Sequence, residues 1–331
     1  MDAFKAYRIH SEDGAISARL ETIGVDDLSP GEVVVRTAWS GVNYKDALAA
    51  TGAGKILRSF PLVGGIDVAG TVVSSEDNRY KEGDEVLVTS AGLGETRDGG
   101  YAEYARLQAE SVIPLPSGLS LKEAMTIGTA GFSAALAVHR MEQNGQHPDQ
   151  GAVAVNGATG GVGSIAVDML ARLGYSVTAI TGKPEAEDYL RELGAVDVLT
   201  LKDIEQGTRP LEKAIWAGAV DNLGGDILGW FTRTMQYGGN IASIGLAQGI
   251  KLETTVMPFI LRGVNLLGIN SVDTPRSVRL EVWKRIASDL KPQHMDRIVT
   301  QELGLEGLEG CFQAYLDAKI TGRTLVNLSG D

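Results

Sequence analysis

The stretch VAVNGATGGVGS, residues 153 to 164, constrains the chain most: an apolar run enters a loop with four glycines in seven residues. In a dinucleotide-binding turn the first small residue permits a tight bend. The second lets the backbone approach a pyrophosphate, and the third allows close packing of helix on strand. Ala158, Gly160 and Gly163 fill those places, with Gly157 and Gly161 adding freedom. A purely structural turn is the alternative reading. The context favours the phosphate, because Val162, Ile165, Ala166, Met169, Leu170 and Leu173 recur at helical spacing and line one face, with Gly174 where a C-cap is wanted. Gly160, Gly161, Val162, Gly163 and Ser164 thus open a helix whose N-terminus offers backbone N–H groups to an anion.

An acidic residue is expected about 20 residues past such a loop when the ribose 2′-hydroxyl of NAD is bound. At the end of the next apolar run, YSVTAIT, the sequence instead reads Thr181-Gly182-Lys183. A hydroxyl, a flexible backbone and a cation suit a 2′-phosphate, so the expected cofactor is NADPH. A solvated lysine is the plainer reading of Lys183. Lys202, beyond the following strand, is a second candidate.

At 331 residues the chain calls for two domains. Up to about residue 120 it carries short β-rich runs, EVVVRTAWSGV, DVAGTVVSS and DEVLVTSAGLG, of the texture of a small antiparallel or barrel-like domain. VIPLPSGLS then breaks the chain. From there LKEAMTIGTAGFSAALAVHRM reads as a helix, and Pro184 opens a charged helix that Gly194 closes. With AGAVDNL, GNIASIGL and VNLLGINS, strand and helix alternate as in a doubly wound parallel sheet.

Composition excludes several functions. A formal net charge of −12 argues against a nucleic-acid or anionic-membrane surface. The first residues hold no apolar signal core, and no run is long and apolar enough to span a bilayer, so the chain is expected to be cytoplasmic. The single cysteine, Cys311, shares a helical face with Leu308, Phe312 and Tyr315 and reads as core. His10, His139, His147 and His294 form no pair at metal-ligand spacing, and no Gly-x-Ser-x-Gly elbow occurs.

The strings SGVNYKDALAATG, GIDVAGTVVSSED, RDGGYAEYA, IGTAGFSAALAVHRME, GATGGVGSIAVDML, MPFILRGVNLLGINSV and GRTLVNL carry a resemblance over essentially the whole chain. They resemble the zinc-independent medium-chain dehydrogenase/reductases, in the quinone oxidoreductase and acryloyl-CoA reductase branch. The resemblance implies a GroES-like β-barrel catalytic domain, residues 1–122 and 272–331, and a Rossmann cofactor domain, residues 123–271, with the active site in the cleft between them. Zinc-dependent relatives place a cysteine near the position of Asn43 and a histidine in a Gly-His-Glu string. Here Asn43 and Gly65-Ile66-Asp67 stand instead, so no metal is expected.

By the same resemblance, Asn43 and Tyr44 stand beside the nicotinamide ribose and substrate. Tyr44 is the candidate proton donor, against a positioning tyrosine beside a solvent proton. Asp46 orders the loop or joins the catalytic group, and Asp67 caps a turn. Thr129 approaches the nicotinamide or caps a helix. Leu246 and Ile260, which composition alone would bury, pack on the nicotinamide side, with Ser271 following the last Rossmann strand. Arg323 lies near the cofactor or the substrate tail, unless it is a surface arginine. Apart from the resemblance, Arg58 in KILRSFP is a basic side chain that is a candidate partner for a CoA diphosphate. Relatives dimerise through the last Rossmann strand, here VNLLGIN, so a homodimer is expected.

The implied reaction is hydride transfer from NADPH to the β-carbon of a small α,β-unsaturated acyl thioester such as acryloyl-CoA. Without a Lewis acid to hold an alkoxide, a conjugated acceptor whose product charge is delocalised is favoured. A quinone or alkenal reductase is the near alternative, and a non-catalytic NADPH-binding protein the distant one. Arg97-Asp98-Gly99-Gly100 departs from the His-Trp-Gly-Gly often found in acryloyl-CoA reductases, which sets the thioester against the quinone.

Overall fold

The computed structural model describes residues 3–330; Met1, Asp2 and Asp331 lie outside it. The chain forms two units. One comprises Met1–Thr129, Ser271–Ala287 and Val299–Asp331; the other comprises Ala130–Asn270 and Ser288–Ile298.

In the second unit six parallel strands lie in the order Asp197–Thr200, Val177–Thr181, Val153–Asn156, Trp216–Asp221, Met235–Ser243, Asn265–Gly268. Counted along the chain this is 3-2-1-4-5-6, the doubly wound order, which reverses beside the strand that feeds the glycine loop. Each residue of Val153–Asn156 and Trp216–Asp221 is buried, as a strand covered on both faces requires. Helix Gly161–Arg172 follows the loop and buries Ile165, Ala166, Met169 and Leu170 of the face its spacing predicted, while Val162 and Leu173 at its ends are half-buried and Val167 and Asp168 are buried as well. Ile165, Met169 and Leu170 each contribute about 1.5–3 kcal/mol by leaving water. Gly174 takes φ 85° just past the helix end. The edge strand Asn265–Gly268 leaves Leu266 exposed.

In the first unit an antiparallel framework runs Arg323–Asn327, Val33–Val42, Asp67–Ser75, Glu85–Thr89, Ile113–Pro114. Val299–Leu303 joins it parallel to Arg323–Asn327, and Tyr104–Leu107 also pairs with Val33–Val42. Val33, Val35, Val68, Val72, Val86 and Val88, at alternating positions, make one apolar core. A hairpin, Phe4–Glu12 with Ala15–Ile23, and helices Tyr44–Thr51 and Leu308–Leu316 complete the unit. Leu308, Cys311 and Phe312 are buried, as expected from their shared face.

The predicted helix at 121–141 requires a correction. Leu121–Gln143 is two helical segments broken at Gly128, with φ 51° and ψ −158°. A Cβ there would come within 2.6 Å of both Arg323 Nη2 and Asp67 Oδ2, so the break makes room for that pair. Among the described residues no helix is long and apolar enough to cross a membrane.

Candidate active site and cofactor loop

The glycine loop has the geometry its sequence demands. Gly157 sits at φ 57°, where a side chain is strained. A Cβ on Gly163 would lie 2.3 Å from the Gly157 carbonyl oxygen, so only glycine lets the helix approach the strand. Gly160 is the N-cap residue, and Ser164 N–H bonds to its carbonyl at 2.8 Å. The N–H groups of Gly161, Val162 and Gly163 therefore precede the first intrahelical bond and point outward along the axis. Ser164 is buried and donates its hydroxyl to the Ala158 carbonyl at 3.2 Å, so its side chain braces the loop.

Thr181 ends the neighbouring strand, and its hydroxyl lies 3.4 Å from that of Thr159 in the glycine loop. It also accepts the Lys183 backbone N–H at 3.0 Å, which fixes the Thr181-Gly182-Lys183 turn. Lys183 is half-buried, and desolvation holds its ammonium below the usual lysine range, with a smaller opposing pull from Glu185. Such a cation gains from an anionic partner. Lys202 is exposed in the turn after Asp197–Thr200.

Composition alone would bury Leu246 and Ile260, yet Leu246 is 59% exposed and Ile260 72%. Leu246 lines a cavity of about 260 Å³ with Gly224, Gly225, Leu228 and Ser243.

In the other unit, segments far apart in the sequence converge on Asp67. Its Oδ1 accepts the Thr129 backbone N–H at 2.8 Å and the Thr129 hydroxyl at 2.6 Å. Its Oδ2 accepts Asn43 Nδ2 at 2.8 Å and lies 3.4 Å from Arg323 Nη2. A carboxylate only accepts, so Thr129 spends its proton on Asp67. In the 3.0 Å contact with Thr129, Ser90 is then the donor. Ser90 itself takes φ 57°, and Ala91 φ 52°, so the segment facing Thr129 is held in a sparsely populated conformation. Asp67 therefore does more than cap a turn. Sequence reasoning passed over this hub because its partners come from distant segments; the acidic residue in the Gly65-Ile66-Asp67 string was the available signal.

Asn43 precedes helix Tyr44–Thr51, and its side chain is fully engaged. Its Oδ1 accepts Arg323 Nη1 at 2.8 Å, and its Nδ2 also reaches Asp46 Oδ2 at 3.2 Å. Asp46 is buried and accepts the backbone N–H groups of Asn43 at 2.8 Å and Ile66 at 3.1 Å. It thus closes the first helical turn and ties it to the Ile66 loop. Burial, then the nearby Asp67 charge, pushes the Asp46 carboxyl up to about 7. Tyr44, at the first helical position, is 41% exposed.

Arg323 is not a surface residue. It is 2% exposed, and besides Asn43 and Asp67 it donates to the carbonyls of Val42, Met125 and Thr126. With its guanidinium so committed, it orients Asn43 and Asp67. Ser271 stands at the start of the returning segment, its carbonyl accepting buried Arg279 at 2.6 Å. Arg58 is exposed, with its backbone N–H on the Glu95 carbonyl at 2.8 Å. Among the described residues no group of three or more His, Cys, Asp or Glu side chains could hold a metal ion.

Residues 29–117 match the alcohol dehydrogenase GroES-like domain, and residues 161–288 match the zinc-binding dehydrogenase domain. The chain is 51% identical to the putative quinone oxidoreductase YhfP of Bacillus subtilis (strain 168), over 98% of this chain and 99% of that one. A solved structure of Bacillus subtilis yhfP with NAD bound superposes with a TM-score of 0.96, at 50% identity over 99% of this chain and all of that one. The probable acrylyl-CoA reductase AcuI of Escherichia coli (strain K12) is 45% identical, over 98% and 100% of the two chains. The yhdH oxidoreductase from Salmonella enterica, solved in complex with NADP, is 46% identical, with a TM-score of 0.95 over 98% and 99%.

Proposed function

The chain belongs to the medium-chain dehydrogenase/reductase superfamily, in its quinone oxidoreductase and acryloyl-CoA reductase branch, and from that premise we propose that it is an NADPH-dependent reductase of small α,β-unsaturated acyl thioesters. The observation that carries this reading is Asn43. Its amide is locked by Arg323, Asp67 and Asp46 beside the exposed Tyr44. A site built on that hydrogen-bonded group suits an acceptor whose product charge is delocalised over a thioester enolate.

The residues fit the cofactor. The Gly163 cradle that a Cβ would fill, and the first N–H groups of helix Gly161–Arg172, suit a pyrophosphate. Thr181, Gly182 and half-buried Lys183 suit a 2′-phosphate, with Lys202 as an outer partner. Exposed Leu246 and Ile260 offer apolar surface to the nicotinamide. When bound, NADPH supplies the hydride.

The protein's own residues then handle position and protons. Asp67 and Arg323 hold Asn43 and Thr129 in fixed orientation, so neither reorganises during turnover. Tyr44, 41% exposed, donates its phenolic proton to the α-carbon after the β-carbon is reduced, and the phenolate regains a proton from solvent. Exposed Leu266 on the edge strand Asn265–Gly268 supports a homodimer through that edge. Sedimentation should give twice the chain mass.

The quinone reading draws on the likeness to YhfP. Turnover of acryloyl-CoA, crotonyl-CoA, a phenanthrenequinone and an alkenal, compared under the same conditions with NADPH, ranks the two. The thioester reading predicts the highest kcat/KM for acryloyl-CoA; a quinone preference overturns it.

A further inference from the structure

Asp46 is a buried acid with no part in the proton transfer above. It and Asp67 stand on either side of one amide. Asn43 Nδ2 lies 3.2 Å from Asp46 Oδ2 and 2.8 Å from Asp67 Oδ2, so its two hydrogens meet different carboxylates. A single guanidinium serves the pair, and it sides with Asp67, at 3.4 Å from Arg323 Nη2. Among the described residues the donors that Asp46 meets are neutral: the Asn43 N–H and amide, the Ile66 N–H and the Tyr101 hydroxyl. Two buried carboxylates with one cation carry a surplus negative charge, and a proton neutralises it most simply. Tyr101 gives that proton a place. Its buried hydroxyl donates to the Gly41 carbonyl at 3.2 Å and also reaches Asp46, yet it has one proton and serves one acceptor at a time. Beside an ionised Asp46 it turns to the carboxylate. Beside a protonated Asp46 it accepts the acid's proton and donates its own to Gly41. The other titratable groups around Asp46 stay out of this exchange near neutrality. Burial holds Tyr101 and Tyr315 above the usual tyrosine range and pushes the Cys311 thiol up to about 11, while Arg323 keeps its charge. On the same helix, Lys45 is paired with Glu95 at 3.1 Å.

We propose that Asp46 and Asp67 share one proton, and that its loss from Asp46 to solvent tightens the hold on Asn43 and the Tyr44 turn. Asp46 is thus a pH-dependent positioning residue for hydride transfer. This inference rests on the reductase reading above, whichever conjugated acceptor is used. Ionised, Asp46 Oδ2 holds both the backbone N–H and the amide of Asn43 through charge-assisted bonds; protonated, it holds them through neutral bonds of roughly half the strength. Burial, then the Asp67 charge, sets the transition at about 7. The proton that favours the folded state therefore loosens the group on which the site is built.

The test pairs the pH profile of kcat, at saturating NADPH and acceptor, with infrared difference spectra of the cofactor-free protein over the same range. In wild type kcat should rise about tenfold through a midpoint near 7, the size of charge assistance lost from one hydrogen bond. At that midpoint a protonated-carboxyl band should give way to a carboxylate band. Asp46→Asn, neutral at every pH, should stay flat at the low-pH level and lack the band change. Tyr101→Phe removes a donor that favours the ionised acid, so both midpoints should move to higher pH. A profile without the rise, or a rise that persists unchanged in Asp46→Asn, overturns the positioning role. If Asp46→Asn fails to fold, Tyr101→Phe decides: midpoints that stay in place overturn it. Absence of NADPH oxidation with every acceptor refutes the underlying reductase reading; turnover without an infrared transition near 7 refutes the shared proton alone.

Discussion

Arg323 and Asp67, 256 residues apart in sequence, meet at 3.4 Å with side chains 2% and 0% exposed. Removing one member of such a pair leaves a buried charge without its partner. Arg323→Met should therefore cost about 3–5 kcal/mol of stability in urea unfolding, and an unchanged midpoint would show the pair to be dispensable.

Gly128 is the companion test. It combines φ 51° with two contacts at 2.6 Å to a would-be Cβ, so Gly128→Ala must displace Asp67 or Arg323. A loss of about 2 kcal/mol or more is expected, together with reduced kcat, because Thr129 and Asn43 hang on the same carboxylate.

Much of the second unit was legible in the sequence, because its signals are local. Val153–Asn156, the glycine loop and the Ile165–Leu170 face are written in adjacent residues and fold as written. The Asp67 hub was not legible in the same way. Thr129, Asn43 and Arg323 reach it from three separate segments, and no periodicity links residues 43, 67, 129 and 323. The break at Gly128 was hidden for the same reason: apolar spacing continues through it, while the cause lies in strands elsewhere in the chain. Exposed Leu246 and Ile260 ran against composition, which carries no information about a surface kept for a ligand.

Lys183 tests the cofactor assignment. A half-buried ammonium held below its usual range regains charge stabilisation from a 2′-phosphate. Lys183→Ala should lower the NADPH-over-NADH preference about tenfold or more, read from Kd by cofactor fluorescence. An unaltered preference would remove the 2′-phosphate from this turn.

Asp46 predicts a pH dependence of stability. Its folded value of about 7 stands above the ordinary carboxyl value near 4, so between those limits the folded state holds a proton that the unfolded state has released. The stabilisation is fully present below about pH 4 and is lost as pH rises through about 7. In Asp46→Asn the decline over that window should flatten; a decline as steep as in wild type would assign it to other groups.

The central claim is hydride delivery to the β-carbon of an acyl thioester, and isotope transfer tests it most directly. With NADPH deuterated at the transferring position and acryloyl-CoA as acceptor, the propionyl product should carry one deuterium at its β-carbon per turnover. Deuterium at the α-carbon, its absence from the product, or no consumption of NADPH would contradict the account.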